Sequence, residues 1–223
     1  MKPLDKEGWY PEPTRNMQSR KAFVLAPWEA RIPCVVGDAE VARASHDKIE
    51  TESLLQQAAL DRKPTILFFT DGSGYEGMVG ASAVALWEGI FTRRHRGTTN
   101  DSTMCVVELN GIEIALARFV NHLDNQRPAK MVIFSDCQAT IKAVQNPKGS
   151  SGQFVLRKIY KHVQTLRSRQ QTPTFDQIPV EIRWIGAYVG VSGNVIADVE
   201  AKLAATEGAG SGTEQLPPVD RAT

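Results

Sequence analysis

The run Ile66-Leu67-Phe68-Phe69-Thr70-Asp71-Gly72-Ser73-Gly74 constrains this chain most. Four consecutive apolar residues, with aromatics and no alternation, fit a strand buried on both faces. Gly72 and Gly74 let the backbone turn sharply and come close to a ligand. Asp71 is therefore expected at or near the end of a buried strand, where an unpaired carboxylate is costly and a bound cation removes the cost. Taken alone, Asp71-Gly72 also reads as the start of a turn, a common role for that pair.

The elements around this strand follow from periodicity. Strand-like runs at Val79–Trp87 and Gly89–Gly97, joined tightly at Glu88-Gly89, extend it into a three-stranded antiparallel meander. The third strand carries Arg93, Arg94, His95 and Arg96, which predicts an exposed edge. Ser102 or Thr103 caps a helix through about Leu123, with Leu109, Ile112, Leu116, Phe119 and Leu123 as its apolar stripe and Glu108 in its early turns. Lys130–Ser135 is a second buried strand, and it too ends on an acid, Asp136. A short helix over Cys137–Gln145, a longer one over Gln153–Arg169, an alternating strand over Val180–Ile185 and a helix from about Asn194 to Ala205 bearing Asp198 complete the order. The order β-β-β-α-β-α-α-β-α predicts an α/β fold. It is a mixed five-stranded sheet, three antiparallel strands continued by parallel ones, with helices on both faces. Sites in such sheets form where strand ends diverge.

Length and composition set the frame. With 223 residues, 42% hydrophobic and 23% charged, the chain fits one ordinary domain plus extensions. Residues 1–63 read as an N-terminal arm, irregular at first, with an edge strand near Ile32–Val36 and a helix from Asp38 to about Leu60. Residues 64–207 read as the domain, and the Gly/Ser/Pro-rich residues 208–223 as a disordered tail. A net charge of +1 neither requires nor excludes a nucleic-acid partner, because a local basic face is hidden in the sum. Arg93–Arg96 and the basic residues of the 153–169 helix are solvated faces, or phosphate tracks if they flank the site. Cys34, Cys105 and Cys137 lack metal-ligand spacing and suit reduced thiols in an intracellular protein, in nucleus or cytoplasm. No apolar run approaches the ~18 residues of a membrane helix, so no membrane partner is expected.

If the two acid-ended strands are neighbours, Asp71 and Asp136 lie side by side, and Glu108 and Asp198 can close a ring. Four clustered carboxylates cannot all ionise without a cation. Oxygen ligands with no nearby His or Cys set select Mg²⁺ or Mn²⁺. Such a site can hold two ions, one activating water and the other steadying a leaving oxygen in phosphodiester hydrolysis. Each residue also has a plainer role. Glu108 suits a helix N-terminus, Asp136 and Asn194 suit helix caps, Asp198 suits a solvated face, and Glu113 is a solvated or supporting acid.

Thr70-Asp71-Gly72-Ser73, Val107-Glu108-Leu109, Phe134-Ser135-Asp136-Cys137-Gln138-Ala139 and Gly190-Val191-Ser192-Gly193-Asn194-Val195-Ile196-Ala197-Asp198 resemble, in order, the four acidic motifs of type 1 ribonuclease H. The likeness covers roughly residues 64–206. It is nearest to the ribonuclease H domains of fungal non-LTR retrotransposon polyproteins, whose upstream linker Phe23–Trp28 and Ala44–Asp47 also resemble. The resemblance implies that Asp71, Glu108, Asp136 and Asp198 bind two Mg²⁺, with Mn²⁺ able to substitute. It implies hydrolysis of the RNA strand of an RNA–DNA hybrid, with Gly72, Ser73 and Asn194 as nucleic-acid contacts. A monomer, and a reverse transcriptase domain in the parent polyprotein, are the expected state and partner. Three positions depart from the pattern. Tyr188 stands where the family usually has a histidine, and a tyrosine with pKa ≈ 10 is a poor proton shuttle at neutral pH. Val195 replaces a common glutamate, and Met104-Cys105 replaces the Asn-Gln pair that reads ribose hydroxyls in cellular enzymes. These departures favour an alternative, a degenerate retroelement-derived domain that binds nucleic acid with little or no cleavage.

Overall fold

The computed structural model describes residues 23–37, 50–57, 65–85, 90–100, 102–122, 130–148, 151–168, 179–187, 190–207 and 213–215. Along the chain these form β1 (Cys34–Val35), α1 (residues 50–57), β2 (Thr65–Tyr75), β3 (Met78–Ala85), β4 (Ile90–Thr98), α2 (Met104–His122), β5 (Lys130–Ser135), α3 (Gln138–Gln145), α4 (Gln153–Ser168), β6 (Val180–Trp184), α5 (Ser192–Thr206) and β7 (Thr213–Gln215). One sheet joins the strands in the order β1-β6-β5-β2-β3-β4-β7. Its five central strands have the expected arrangement: β2, β3 and β4 antiparallel, then β5 and β6 parallel to β2. Each end gains a short strand, β1 parallel on β6 and β7 antiparallel on β4.

Period-two alternation along β2 divides the core. Ile66 and Phe68 point into one buried cluster with Leu109, Ile112 and Leu116 of α2 and Leu156 and Ile159 of α4. Leu67 and Phe69 point the other way, to Val191 and Ala197 at and after the start of α5. Of the stripe expected on α2, Leu109, Ile112, Leu116 and Phe119 are buried, and Leu123 lies outside the described residues. On the second face α5 sits very close to the sheet. A Cβ on Gly193 would stand 2.1 Å from the Phe69 ring, so only glycine fits there.

Several expectations need correction. β2 does not turn at Gly72–Gly74 but continues to Tyr75, and the chain reverses at Glu76-Gly77, both with positive φ. Asp71 thus lies inside a strand, opposite Ser82 of β3. β4 is not a bare edge, because its open backbone groups at Ile90–Thr92 pair with β7. That strand falls within the stretch expected to be disordered, at residues 213–215. Arg93 and Arg96 are not solvated: Arg93 bridges Glu200 at 3.1 Å and Glu207 at 2.7 Å, and Arg96 binds Glu113 at 3.2 Å. Part of the N-terminal arm packs onto the domain. Leu25 and Ile32 enter the core, the Phe23 and Tyr160 rings meet at 5.3 Å, and Ile182 N–H donates to Pro33 O. The helix expected from Asp38 to Leu60 is helical over residues 50–57, and its other residues, with Trp87, residues 1–22, 208–212 and 216–223, lie outside the described residues. Among the described residues no helix is long and apolar enough to cross a membrane.

Candidate metal and nucleic-acid site

Register builds the site. β2 and β5 pair in parallel from Thr65↔Lys130 to Thr70↔Ser135, and the pairing stops there. The next residue in each segment is the acid, so Asp71, still within β2, and Asp136, just past the end of β5, come together where this pairing stops. α2 crosses close above this point. A Cβ on Gly72 would lie 2.7 Å from Glu108 N and 2.9 Å from Val107 C, so the glycine is what lets the helix backbone descend onto the strand. Glu108 arrives with it. One carboxylate oxygen from each of Asp71, Glu108 and Asp136 lies within 4.8 Å of the others.

Asp198 comes from α5 and lines the same cleft of about 370 Å³, but it stays outside the trio. Its Oδ2 takes a 2.6 Å salt bridge from Lys202 Nζ one helical turn on. Gly72 and Ser73 also line the cleft, the first buried and the second half-buried. Asn194 is the third residue of α5, not its cap; Val191 occupies the cap without a side-chain bond. Instead the Asn194 side chain hydrogen-bonds Asp136. Asp136 does not cap α3 either, since Cys137 holds that position, and its carbonyl accepts a bond from Trp184 Nε1 at 2.9 Å. Tyr188 lies outside the described residues.

Electrostatics in the cleft are those of crowded acids. Burial, then the charges of Asp136 and Asp198, push the Asp71 carboxyl up to about 7, against a bond from Gly72 N–H and the Lys202 charge. Burial and the neighbouring Asp71, Cys137 and Asp136 push Glu108 up to about 10. Asp136 is raised as well, by burial above all and by Asp198, while the Asn194 hydrogen bond works the other way. Glu108 Oε2 is buried without a hydrogen-bond partner among the described residues. A buried orphan oxygen beside two other carboxylates is satisfied by a cation, and an all-oxygen set suits a hard one. The residues fit a hard divalent cation.

Glu113, expected to be solvated or supporting, is buried on α2 with Arg96 at 3.2 Å, Arg94 at 3.9 Å and His162 Nε2 at 3.3 Å. Burial pushes its carboxyl up, but the His162 hydrogen bond and the Arg96, Lys158 and Arg94 charges outweigh that and hold it below the usual range. It pins α2 between β4 and α4. Sequence reasoning missed Lys202 as a lining residue, while Met104, which the resemblance sets at a ribose-reading position, lines the cleft. For Lys202 the i,i+4 spacing from Asp198 was the available signal.

Solved structures resembling this fold include LC11-RNase H1 in complex with an RNA/DNA hybrid, at 15% identity and a TM-score of 0.47 over 64% of this chain and 98% of that one. RNase H1 from Halobacterium salinarum NRC-1 matches at 12% identity and 0.42, over 65% and 99%. The N-terminal RNase H domain of a Mycobacterium tuberculosis protein matches at 14% and 0.44, over 63% and 98%. A search of curated proteins finds no match in sequence. The family model described as RNase H matches residues 63–206, the span that carries all four acids. This chain belongs to the RNase H family.

Proposed function

We propose that this chain is a ribonuclease H that hydrolyses the RNA strand of RNA–DNA hybrids with two Mg²⁺ ions, Mn²⁺ substituting, held by Asp71, Glu108, Asp136 and Asp198. The observation that carries this reading is the meeting of three carboxylates within 4.8 Å, one of them with an orphan buried oxygen. Bound there, Mg²⁺ supplies Lewis acidity for activating water and neutralising the phosphate. The protein's own residues do the rest. Without a cation Glu108 holds its proton at neutral pH and Asp71 is poised about there, so ligation releases protons and strengthens as pH rises. Asn194 orients Asp136 through its hydrogen bond, and Gly72 sets the depth of α2 and hence of Glu108. Lys202 keeps Asp198 at the cleft and adds positive charge facing an incoming phosphodiester. An A-form-like hybrid is recognised through its minor groove and 2′-hydroxyls, with little sequence preference and with affinity falling as salt rises.

On the same reading the domain is a monomer of retroelement origin acting in nucleus or cytoplasm, and residues 1–63 are a linker that once followed a reverse transcriptase. Support for the origin is the likeness of Phe23–Trp28 to that linker. A second reading, a domain that binds hybrids without cutting them, is favoured by Tyr188 and Val195 at positions where the family usually carries a histidine and an acid. A cleavage panel separates them. RNA–DNA hybrid, duplex DNA and duplex RNA are incubated with folded protein and Mg²⁺. Cutting of the hybrid alone supports the first reading. Protein that binds the hybrid yet leaves it whole, in Mg²⁺ and in Mn²⁺, establishes the second.

A further inference from the structure

Two cysteines flank the acidic cluster without belonging to it. Cys105 lies in the first turn of α2, one turn before Glu108, and Cys137 follows Asp136 directly and caps α3. Both are half-buried free thiols. Between them stands the hydroxyl of Thr140, a residue with no exposed surface. It donates to Cys137 Sγ at 3.1 Å and lies 3.8 Å from Cys105 Sγ. The two sulfurs are therefore within about 7 Å, the two contacts laid end to end. Each sulfur swings on its own rotamer circle about its Cα–Cβ bond, so a change of rotamer at both residues is the motion that closes the pair. α3 packs against α2, and both sulfurs are half-buried and so open to small oxidants.

We propose that Cys105 and Cys137 form a reversible disulfide that ties together the segments carrying Glu108 and Asp136 and weakens Mg²⁺ binding at the cluster. The bond stands independently of the reaction proposed above; its effect on Mg²⁺ rests on that reading. Closing it draws Cys137 Sγ away from Thr140 and turns the residue whose peptide is shared with Asp136. The step needs a two-electron oxidant, here an azodicarboxamide such as diamide. One thiolate sulfur adds to an azo nitrogen, and the second sulfur attacks the first, forming the S–S bond and expelling the hydrazine. Both thiol protons end on that hydrazine, and two sulfurs are oxidised as one N=N bond is reduced. Cys34 supplies an internal control. It lies on β1 at the far edge of the sheet, and burial, with the nearby Glu181 charge, pushes its thiol up to about 12, which leaves it inert.

The test uses the full chain at low concentration with diamide, followed by denaturing thiol titration, peptide mapping and Mg²⁺ calorimetry. The expected thiol count falls from three to one, the mapped bond joins Cys105 to Cys137, and a reductant restores three. Cys105→Ser and Cys137→Ser, each near-isosteric, keep both remaining thiols under the same treatment. Mg²⁺ affinity of the oxidised protein falls at least fivefold and recovers on reduction. Three thiols persisting in the wild type, or a mapped bond involving Cys34, overturns the proposal. A Cys105–Cys137 bond with unchanged Mg²⁺ affinity overturns its coupling to the acidic site. If neither redox form takes up Mg²⁺, the metal reading fails while the thiol count still decides whether the bond exists.

Discussion

The carboxylate crowding has a thermodynamic price that one substitution exposes. Replacing Asp71 by Asn keeps the shape and an oxygen for the Gly72 N–H but removes the charge. In the metal-free protein, folding moves this carboxyl from 3.8 to about 7, with burial as the leading cause. A group raised in the fold adds no cost below its unfolded value, and the cost is complete once pH exceeds the folded one. At about 1.36 kcal/mol per pKa unit the penalty at pH 8 is about 4 kcal/mol, and water entering the cleft reduces it to roughly 2–4 kcal/mol. For a chain of this size each kcal/mol moves Tm by roughly 2–4 °C, so Asp71→Asn raises the metal-free Tm by about 5–15 °C at pH 8. The gain shrinks through the window between about 7 and 3.8 and is absent at pH 3, where both states are protonated. Calorimetry in EDTA across that pH range reads it directly. Adding Mg²⁺ closes most of the gap, because wild type gains about 2.7 kcal/mol at a hundredfold excess over Kd while the variant binds poorly. No gain at pH 8, or an equal gain at pH 3, refutes the reasoning.

Other substitutions test other parts of the site. Gly72→Ala forces a Cβ to 2.7 Å from the Glu108 nitrogen, so α2 must rise; we expect a loss of about 1–3 kcal/mol by denaturant titration and a larger proportional loss of hybrid cleavage. Asn194→Ala removes the donor to Asp136 and weakens Mg²⁺ binding by about 10–100-fold in calorimetry, with little change in Tm. Glu113→Gln strips the buried partner of Arg96 and His162 and costs roughly 1–3 kcal/mol at pH 7. Because Glu113 is held below its ordinary value, its contribution is present above 4.5 and fades as pH falls through the lowered one, so wild type and variant converge in acid.

Much of the site was legible because register and motif agree. The apolar runs before Asp71 and Asp136 identify two buried strands, and their parallel pairing stops one residue before each acid, which places the acids together. Glu108 was readable from the stripe that begins at Leu109. What escaped depends on contacts remote in sequence. Gly72-Ser73-Gly74 reads as a turn, yet β2 runs through it, since Gly72 serves the close approach of α2 rather than a change of direction. Asn194 has the chemistry of a cap, but α5 starts two residues earlier, which turns its amide toward Asp136. Arg93 and Arg96 read as a solvated edge because the acids that bind them, Glu200, Glu207 and Glu113, come from helices elsewhere in the chain. β1 falls within the edge strand expected near Ile32–Val36, whereas β7 lies in the Gly/Ser/Pro-rich segment that reads as a disordered tail.

The most direct test of the account is Mg²⁺-dependent cleavage of an end-labelled RNA–DNA hybrid, with Asp136→Asn, shown folded by circular dichroism, measured beside the wild type. Shortened RNA products bearing 3′-hydroxyls, abolished by EDTA and by the substitution, are the predicted result. Folded wild-type protein that binds the hybrid but leaves it intact, or a variant that cuts as well as wild type, contradicts the claim that this carboxylate cluster is a working metal centre.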